Sequence, residues 1–283
     1  MTKKENVLSD KDLLRLQRLR LMDDDFMNVC LQENKEAVKE MLEVFLPGKE
    51  LTIQSVQTQY VIKNLYGRSV ELDIHAKEKS GRRFNVEVQR EGKGARPKRA
   101  RYHASLLDAS SIKSGKKVEK LPENYVIFIT EKDYFGCGEP IYHIDRMVQE
   151  KNVPFGDGSH ILYVNGAYKG NDTIGRLMHD FRCSNPEDMY SDTLREAAKY
   201  FKETEEGQRK MGKVLDEIRQ EGIDMGKEIG KEIGEKLGKE IGLKCFVRTV
   251  KDFFDDFEGV YNAVIKNEEY RDFTREDVMK YYI

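Results

Sequence analysis

Residues 69–91 read SVELDIHAKEKSGRRFNVEVQRE, and the fold turns on how this stretch pairs with itself. Alternation divides it into two strands. On the first, Val70, Leu72, Ile74 and Ala76 take one face, and Glu71, Asp73 and His75 take the other. On the second, Phe84, Val86 and Val88 share a face, leaving Asn85, Glu87 and Gln89 opposite. Each strand therefore has an apolar side to bury and a side dense in carboxylates. A two-residue turn at Ser80-Gly81 would pair Lys79 with Arg82, set Asp73 across from Val88, and mix polar with apolar on every rung. A three-residue loop, Lys79-Ser80-Gly81 with Gly81 left-handed, pairs Glu78 with Arg82 instead. Asp73 then falls opposite Glu87, and Glu71 opposite Gln89. A slip of one residue moves every side chain to the wrong face, so the hydrophobic pattern selects the second register.

Carboxylates directly across a ladder, with β-carbons about 5 Å apart, repel one another. The pair is tolerable if one acid stays protonated, if basic side chains intervene, or if a divalent cation lies between them. The chain then runs GKGARPKRAR over residues 92–101, basic and free of acid, into a helix bearing Arg99, Arg101, Tyr102 and His103. Hard oxygen donors beside phosphate-binding groups point to metal-assisted phosphodiester hydrolysis. Lys93, Arg96 and Lys98 would add affinity that is independent of base sequence and weakened by salt. Glu71 and Asp25 are secondary candidates for the acidic cluster, and His75 reads as a hydrogen-bonded bystander. A retaining glycosidase also places two carboxylates about 5–5.5 Å apart. The chain has no Trp to stack a sugar, however, and a sugar has no use for the basic run.

Outward from this stretch, Asp23 to Asp25 offer an acidic helix start before FMNVCLQENKEAVKEMLEVFL (26–46). There Phe26, Val29, Cys30, Val38, Met41, Leu42 and Phe45 recur at near-helical spacing until Pro47-Gly48. A strand is expected within 51–64, and Pro97 opens a helix that ends near Gly115. NYVIFIT (124–130) is a strand buried on both faces, with weaker strands around 141–145 and 160–164. The fold class is α/β (α+β), a mixed sheet flanked by helices and followed by a helical C-terminal region. The organisation expected is a basic arm or helix over 1–20, a core over 21–184, and helices over 185–283.

The last region contains GIDMGKEIGKEIGEKLGKEIG (222–242), where Met225, Ile229, Ile233, Leu237 and Ile241 each precede a glycine. It reads either as a seam where helix backbones meet closely or as a marginal solvent helix. The 283 residues carry a net charge of −2, so the whole-molecule field does not advertise a nucleic-acid binder and the local basic run must. The four cysteines form no CxxC, and no apolar run approaches a membrane span or an export signal. The expectation is a cytoplasmic protein with no membrane partner.

The order Asp73, Glu87-Val88-Gln89, Pro97-Lys98-Arg99-Ala100-Arg101-Tyr102, NYVIFIT and FGCGEPIYHID (135–145) resembles the PD-(D/E)XK nuclease family transposases, the Rpn-like recombination-promoting nucleases. The helix opening at DDFMNVCLQENKE (24–36) fits as well, and the resemblance spans Met22 to Asn165. It implies a restriction-endonuclease-like core that cuts DNA with Mg²⁺, for which Mn²⁺ could substitute. Asp73 and Glu87 match the metal-binding acids. Gln89 stands where the wider superfamily has lysine, so a neutral amide orients the attacking water without supplying charge. Arg99, Arg101 and Tyr102 would contact DNA phosphates or the Gln89 side. A double-strand break is easier for a homodimer. The competing expectation is a DNA-binding or assembly protein that keeps the fold with weak or no turnover.

Overall fold

The structure, a computed structural model, describes residues 8–64, 67–90, 94–112 and 115–282. The chain divides into two compact units, Met1–Val214 and Leu215–Ile283.

The first unit is built on one mixed sheet. Its strands are β1 (Ile53–Ile62), β2 (Val70–Glu78), β3 (Arg83–Gln89), β4 (Asn124–Thr130), β5 (Ile141–Ile144) and β8 (Ser159–Asn165), in the order β1-β2-β3-β4-β8-β5. A small separate hairpin joins β6 (Met147–Val148) to β7 (Val153–Pro154). β1, β2 and β3 are antiparallel, β3, β4 and β8 are parallel, and β5 returns antiparallel to β8. All seven residues of β4 are buried, as its unbroken apolar run predicts for a strand covered on both faces. Helix α4 (Pro97–Ser111) packs Ala100, Ala104 and Leu107 over Val126, Phe128 and Tyr163. On the other face, Lys49 reaches the Tyr125 hydroxyl. This mixed α+β arrangement is the one the sequence implies.

The periodic stretch 26–46 is two helices rather than one: α2 (Asp24–Leu31) and α3 (Lys35–Phe45). Glu33 adopts φ +59°, which no helix continues through, and the Asn34 side chain caps α3 by accepting from the Ala37 N–H. Apolar spacing survives such a break because both helices bury the same side, so periodicity alone does not reveal it. Ahead of them, α1 (Asp10–Arg18) is capped by Ser9 and buries Leu16. Its C-terminal end is tied to α6 (Asp192–Glu203) through Lys202, 1 % exposed, whose ammonium donates to the carbonyls of Gln17, Leu19 and Ser184. The Gln17 amide returns a bond to the Lys202 carbonyl at 3.1 Å. α5 (Thr173–Arg182) lies between β8 and α6 in the chain.

Helix α7 (Glu205–Val250) begins in the first unit and continues into the second. Within the second unit, its Leu243 and Val247 form a core with Val260 and Val264 of α8 (Phe257–Lys266) and Val278 of α9 (Arg275–Tyr282). The repeat is helical throughout. Met225, Ile229, Ile233, Leu237 and Ile241 are all about half exposed, and a Cβ on Gly226, Gly230, Gly234 or Gly238 would meet open space. A four-residue repeat advances about 40° per unit beyond a full turn, so the apolar row winds around the helix instead of forming one straight seam.

Candidate functional site

The loop that sets the register has the expected geometry. Gly81 sits at φ +103°, its N–H donates to the Glu78 carbonyl, and the Glu78 N–H donates to the Arg82 carbonyl at 2.9 Å. The ladder then runs Lys77–Arg83, Ala76–Phe84, His75–Asn85 and Ile74–Val86. One further step places Asp73 across from Glu87. Regular pairing gives way there to side-chain contacts. The Asp73 N–H points at Glu87 Oε1, 3.4 Å away, and the Asp73 carboxylate accepts the Val88 N–H at 3.0 Å.

Strict alternation on β2 fails at this same residue. Val70 and Leu72 join the cluster beneath α4, together with Ile62, whereas Ile74 and Ala76 do not. The cause is a kink. β1 pairs Thr58 with Ile74 and Tyr60 with Leu72, while Gln59, facing Asp73, takes φ +52°. A non-glycine residue in the left-handed region is strained, and here it turns the strand ends about the carboxylate. Sequence alternation cannot show a kink of this kind, because both apolar sets end up buried either way.

The carboxylate side of the strand pair is roofed by α4 and is not left to solvent. Glu87 and Asn85 are fully buried and His103 nearly so. Arg99 and His103, one helical turn apart, both point down onto this surface. The Arg99 guanidinium contacts Glu87 Oε2 at 3.1 Å and donates through Nε to His103 Nε2 at 3.3 Å. Since Nε2 accepts, the ring proton of His103 sits on Nδ1. That nitrogen lies 3.5 Å from Glu87 Oε1 and 3.0 Å from the Asn85 amide, which meets it best with its oxygen. Of the ways to tolerate facing acids, the protein thus uses a basic side chain for Glu87. Asp73 takes the opposite course: burial first, then the Glu87 charge and that of Asp24, push its pKa up to about 8, against the Val88 hydrogen bond and Arg99. The carboxylate reaching Asp73 from the start of α2 is Asp24, whose neighbour Asp25 had been the candidate. The Asp25 N–H donates to Asp24 Oδ1. Glu71 is exposed on β2 opposite Val61.

Gln89 ends β3 beside Thr130 of β4 and is half-buried. A Cβ on Gly94 would lie 1.6 Å from Gln89 Oε1, so only a glycine at position 94 lets this backbone and the amide lie side by side. Arg96, Lys98 and Arg101 are exposed, with no ion pair among the described residues. Lys93 lies outside the described residues. Tyr102 turns to the protein: its hydroxyl donates to the Arg68 carbonyl and accepts from Asn64 at 3.1 Å. Arg99 and Tyr102 thus each have a partner within the protein, and Arg99 stays exposed to solvent. His75 is stacked on Tyr60 at 4.6 Å, and among the described residues neither ring nitrogen has a hydrogen-bond partner. Burial, followed by Arg83 and Lys77, holds its pKa down to about 4.

Residues 29–166 match the family model described as PD-(D/E)XK nuclease family transposase. The chain carries a PD-(D/E)XK nuclease-family domain. The matched segment holds the acid pair, Gln89, Gly94 and α4, and leaves out α1 and Asp24. No curated protein and no solved structure matches the chain. Among the described residues, no group of three or more His, Cys, Asp or Glu side chains is arranged to hold a metal ion, and no helix is long and apolar enough to cross a membrane. Beyond the sequence-derived candidates, the structure brings Asp24, Asn85, His103 and Gly94 next to the acid pair and Gln89. The Arg99–His103 spacing and the shared strand face of Asn85 and Glu87 were signals for two of these. Nothing in the sequence distinguishes Asp24 from Asp25.

Proposed function

We propose that the first unit is a Mg²⁺-dependent DNA endonuclease that hydrolyses phosphodiester bonds at the Asp73–Glu87 pair. The observation that carries this reading is the geometry of the pair: Asp73 falls one step beyond the Ile74–Val86 rung, across from Glu87, with its N–H 3.4 Å from Glu87 Oε1 and its carboxylate held by the Val88 N–H at 3.0 Å. Two carboxylates are a sparse donor set, yet they suit Mg²⁺, which retains several waters and needs only one or two carboxylates alongside substrate phosphate. Asp73 and Glu87 would hold the ion. Bound there, it would supply Lewis-acid stabilisation and an activated water.

The remaining work falls to the chain itself. Arg99 and His103 fix the Glu87 carboxylate in one orientation, leaving Oε1 toward Asp73. The Val88 N–H does the same for Asp73. Gln89, next along β3 and confined by Gly94, orients the attacking water through its amide. As a neutral group it neither takes the proton nor offsets charge on the leaving oxygen. Arg96, Lys98 and Arg101 contact phosphates and hold the backbone in place. Lys93 is proposed to act with them.

A supercoiled-plasmid assay with Mg²⁺, Mn²⁺ or EDTA, run on wild type, Asp73→Asn and Glu87→Gln, tests the proposal. Metal-dependent nicking lost in both variants supports it. The engagement of Glu87 by Arg99 and its closeness to His103 favour a second reading, a DNA-binding protein that has kept the fold without turnover. Salt-sensitive DNA binding with no cutting under any metal supports that one.

A further inference from the structure

A cleft of about 580 Å³ lies beside the C-terminal end of β3, outside the acid pair. Lys11, Arg15 and Arg18 line one side; Arg20, Asp23 and Arg90 line the other. At helical spacing the first three fall within about 60° of arc, and their stripe points away from buried Leu16. All three are exposed, with no ion pair among the described residues. The opposite wall is already balanced. Arg20 and Arg90 share Asp23 at 3.4 and 3.0 Å, and they share Glu131 at 3.0 and 3.5 Å. The uncompensated positive charge of the cleft therefore sits on α1.

Two features make this a fixed surface. The bonds from Lys202 to the Gln17 and Leu19 carbonyls hold the helix end, and the Arg20–Asp23–Arg90–Glu131 group ties the following turn to β3 and β4. The cleft also abuts the site at both ends of its wall. Arg90 directly follows Gln89, and Asp23 directly precedes Asp24, whose charge reaches Asp73.

We infer that Lys11, Arg15 and Arg18 form a second phosphate-contacting stripe, which carries the DNA backbone past the acid pair on the α2 side while Arg96, Lys98 and Arg101 serve the α4 side. The inference rests on the nuclease reading for its partner. The stripe covers about 10 Å of helix, enough to meet successive phosphates of one strand.

The test is fluorescence anisotropy of the full chain on a labelled 20-base-pair duplex in EDTA, across a salt series. One variant carries Lys11→Gln, Arg15→Gln and Arg18→Gln. A control removes the same charge at exposed positions before β4: Lys116→Gln, Lys117→Gln and Lys120→Gln. Each lost phosphate contact lowers the slope of log affinity against log salt by about 0.9. The stripe variant is expected to lose about 2–3 from that slope and at least about tenfold in affinity at low salt, with the control near wild type. Arg18→Gln alone should lose about 1, which guards against a folding defect in the triple variant. Equal slopes for wild type and stripe variant, with wild type binding DNA, overturn the stripe alone. Wild type that does not bind DNA overturns both the stripe and the nuclease reading.

Discussion

Raising the pH of the metal-free protein from 6.5 to 8 should destabilise it, and Asp73→Asn should abolish the effect. Asp73 titrates near 3.8 when unfolded and near 8 when folded, so between these values the folded protein holds a proton that the unfolded chain has released. Stability then falls with rising pH by up to about 1.4 kcal/mol per unit and levels off above about 8. Two other buried groups pull the opposite way, in neighbouring windows. His75, held down to about 4, adds stability as pH rises from 4 to 6.5. Lys202, lowered to about 8 by burial, adds it from 8 to 10.5. The interval from 6.5 to 8 therefore isolates Asp73 among these three. Across 1.5 units the ceiling is about 2 kcal/mol, and water reaching a half-buried carboxylate reduces this to roughly 1 kcal/mol. For a unit of this size that is about 2–4 °C in melting temperature. Urea titrations in EDTA at pH 6.5 and 8, on wild type and Asp73→Asn, measure the difference directly. A wild-type loss matched by the variant would refute the claim that Asp73 carries the proton.

Three further outcomes follow from the same contacts. Gly94→Ala should leave the melting temperature within about 2 °C, because only the mobile tip of Gln89 must yield, yet lower the Mg²⁺-dependent nicking rate about tenfold or more by displacing that amide. Lys202→Ala should cost about 3 kcal/mol, read by urea denaturation, since three backbone carbonyls lose the donor they share and the buried stem leaves a void. Arg99→Ala should raise the affinity of the metal-free site for Mn²⁺ in calorimetry, by removing the positive charge beside Glu87, while slowing turnover in the nicking assay through loss of its orientation.

Strand register was legible because it depends on two local properties, the apolar alternation of 70–88 and a glycine able to hold φ +103°. The same holds for β4 and for Pro97 opening α4. The sequence did not reveal where regular elements are interrupted. Glu33 and Gln59 take positive φ without being glycine, and one divides a helix while the other kinks a strand at Asp73. Tertiary packing imposes both, so composition carries no trace of them. The site shows the same division. The acids were found because facing carboxylates are costly and therefore conspicuous. The charge and setting of Arg99 and Tyr102 suggest contacts to DNA phosphates or the Gln89 side, and sequence carries no sign of the partners they also have within the protein, Glu87 for one and the Arg68 carbonyl for the other. The basic stripe of α1 was visible as composition only, since its meaning depends on Arg90 and Asp23 lying across the cleft.

The most direct measurement is isothermal titration of Mn²⁺ into metal-free protein near pH 7.5, in buffers of different ionisation enthalpy. The acid pair, with Asp73 largely protonated, predicts one ion bound per chain with release of a sizeable fraction of a proton, and binding lost in Asp73→Asn and Glu87→Gln. Binding that persists unchanged in both variants, or that releases no proton, would contradict it.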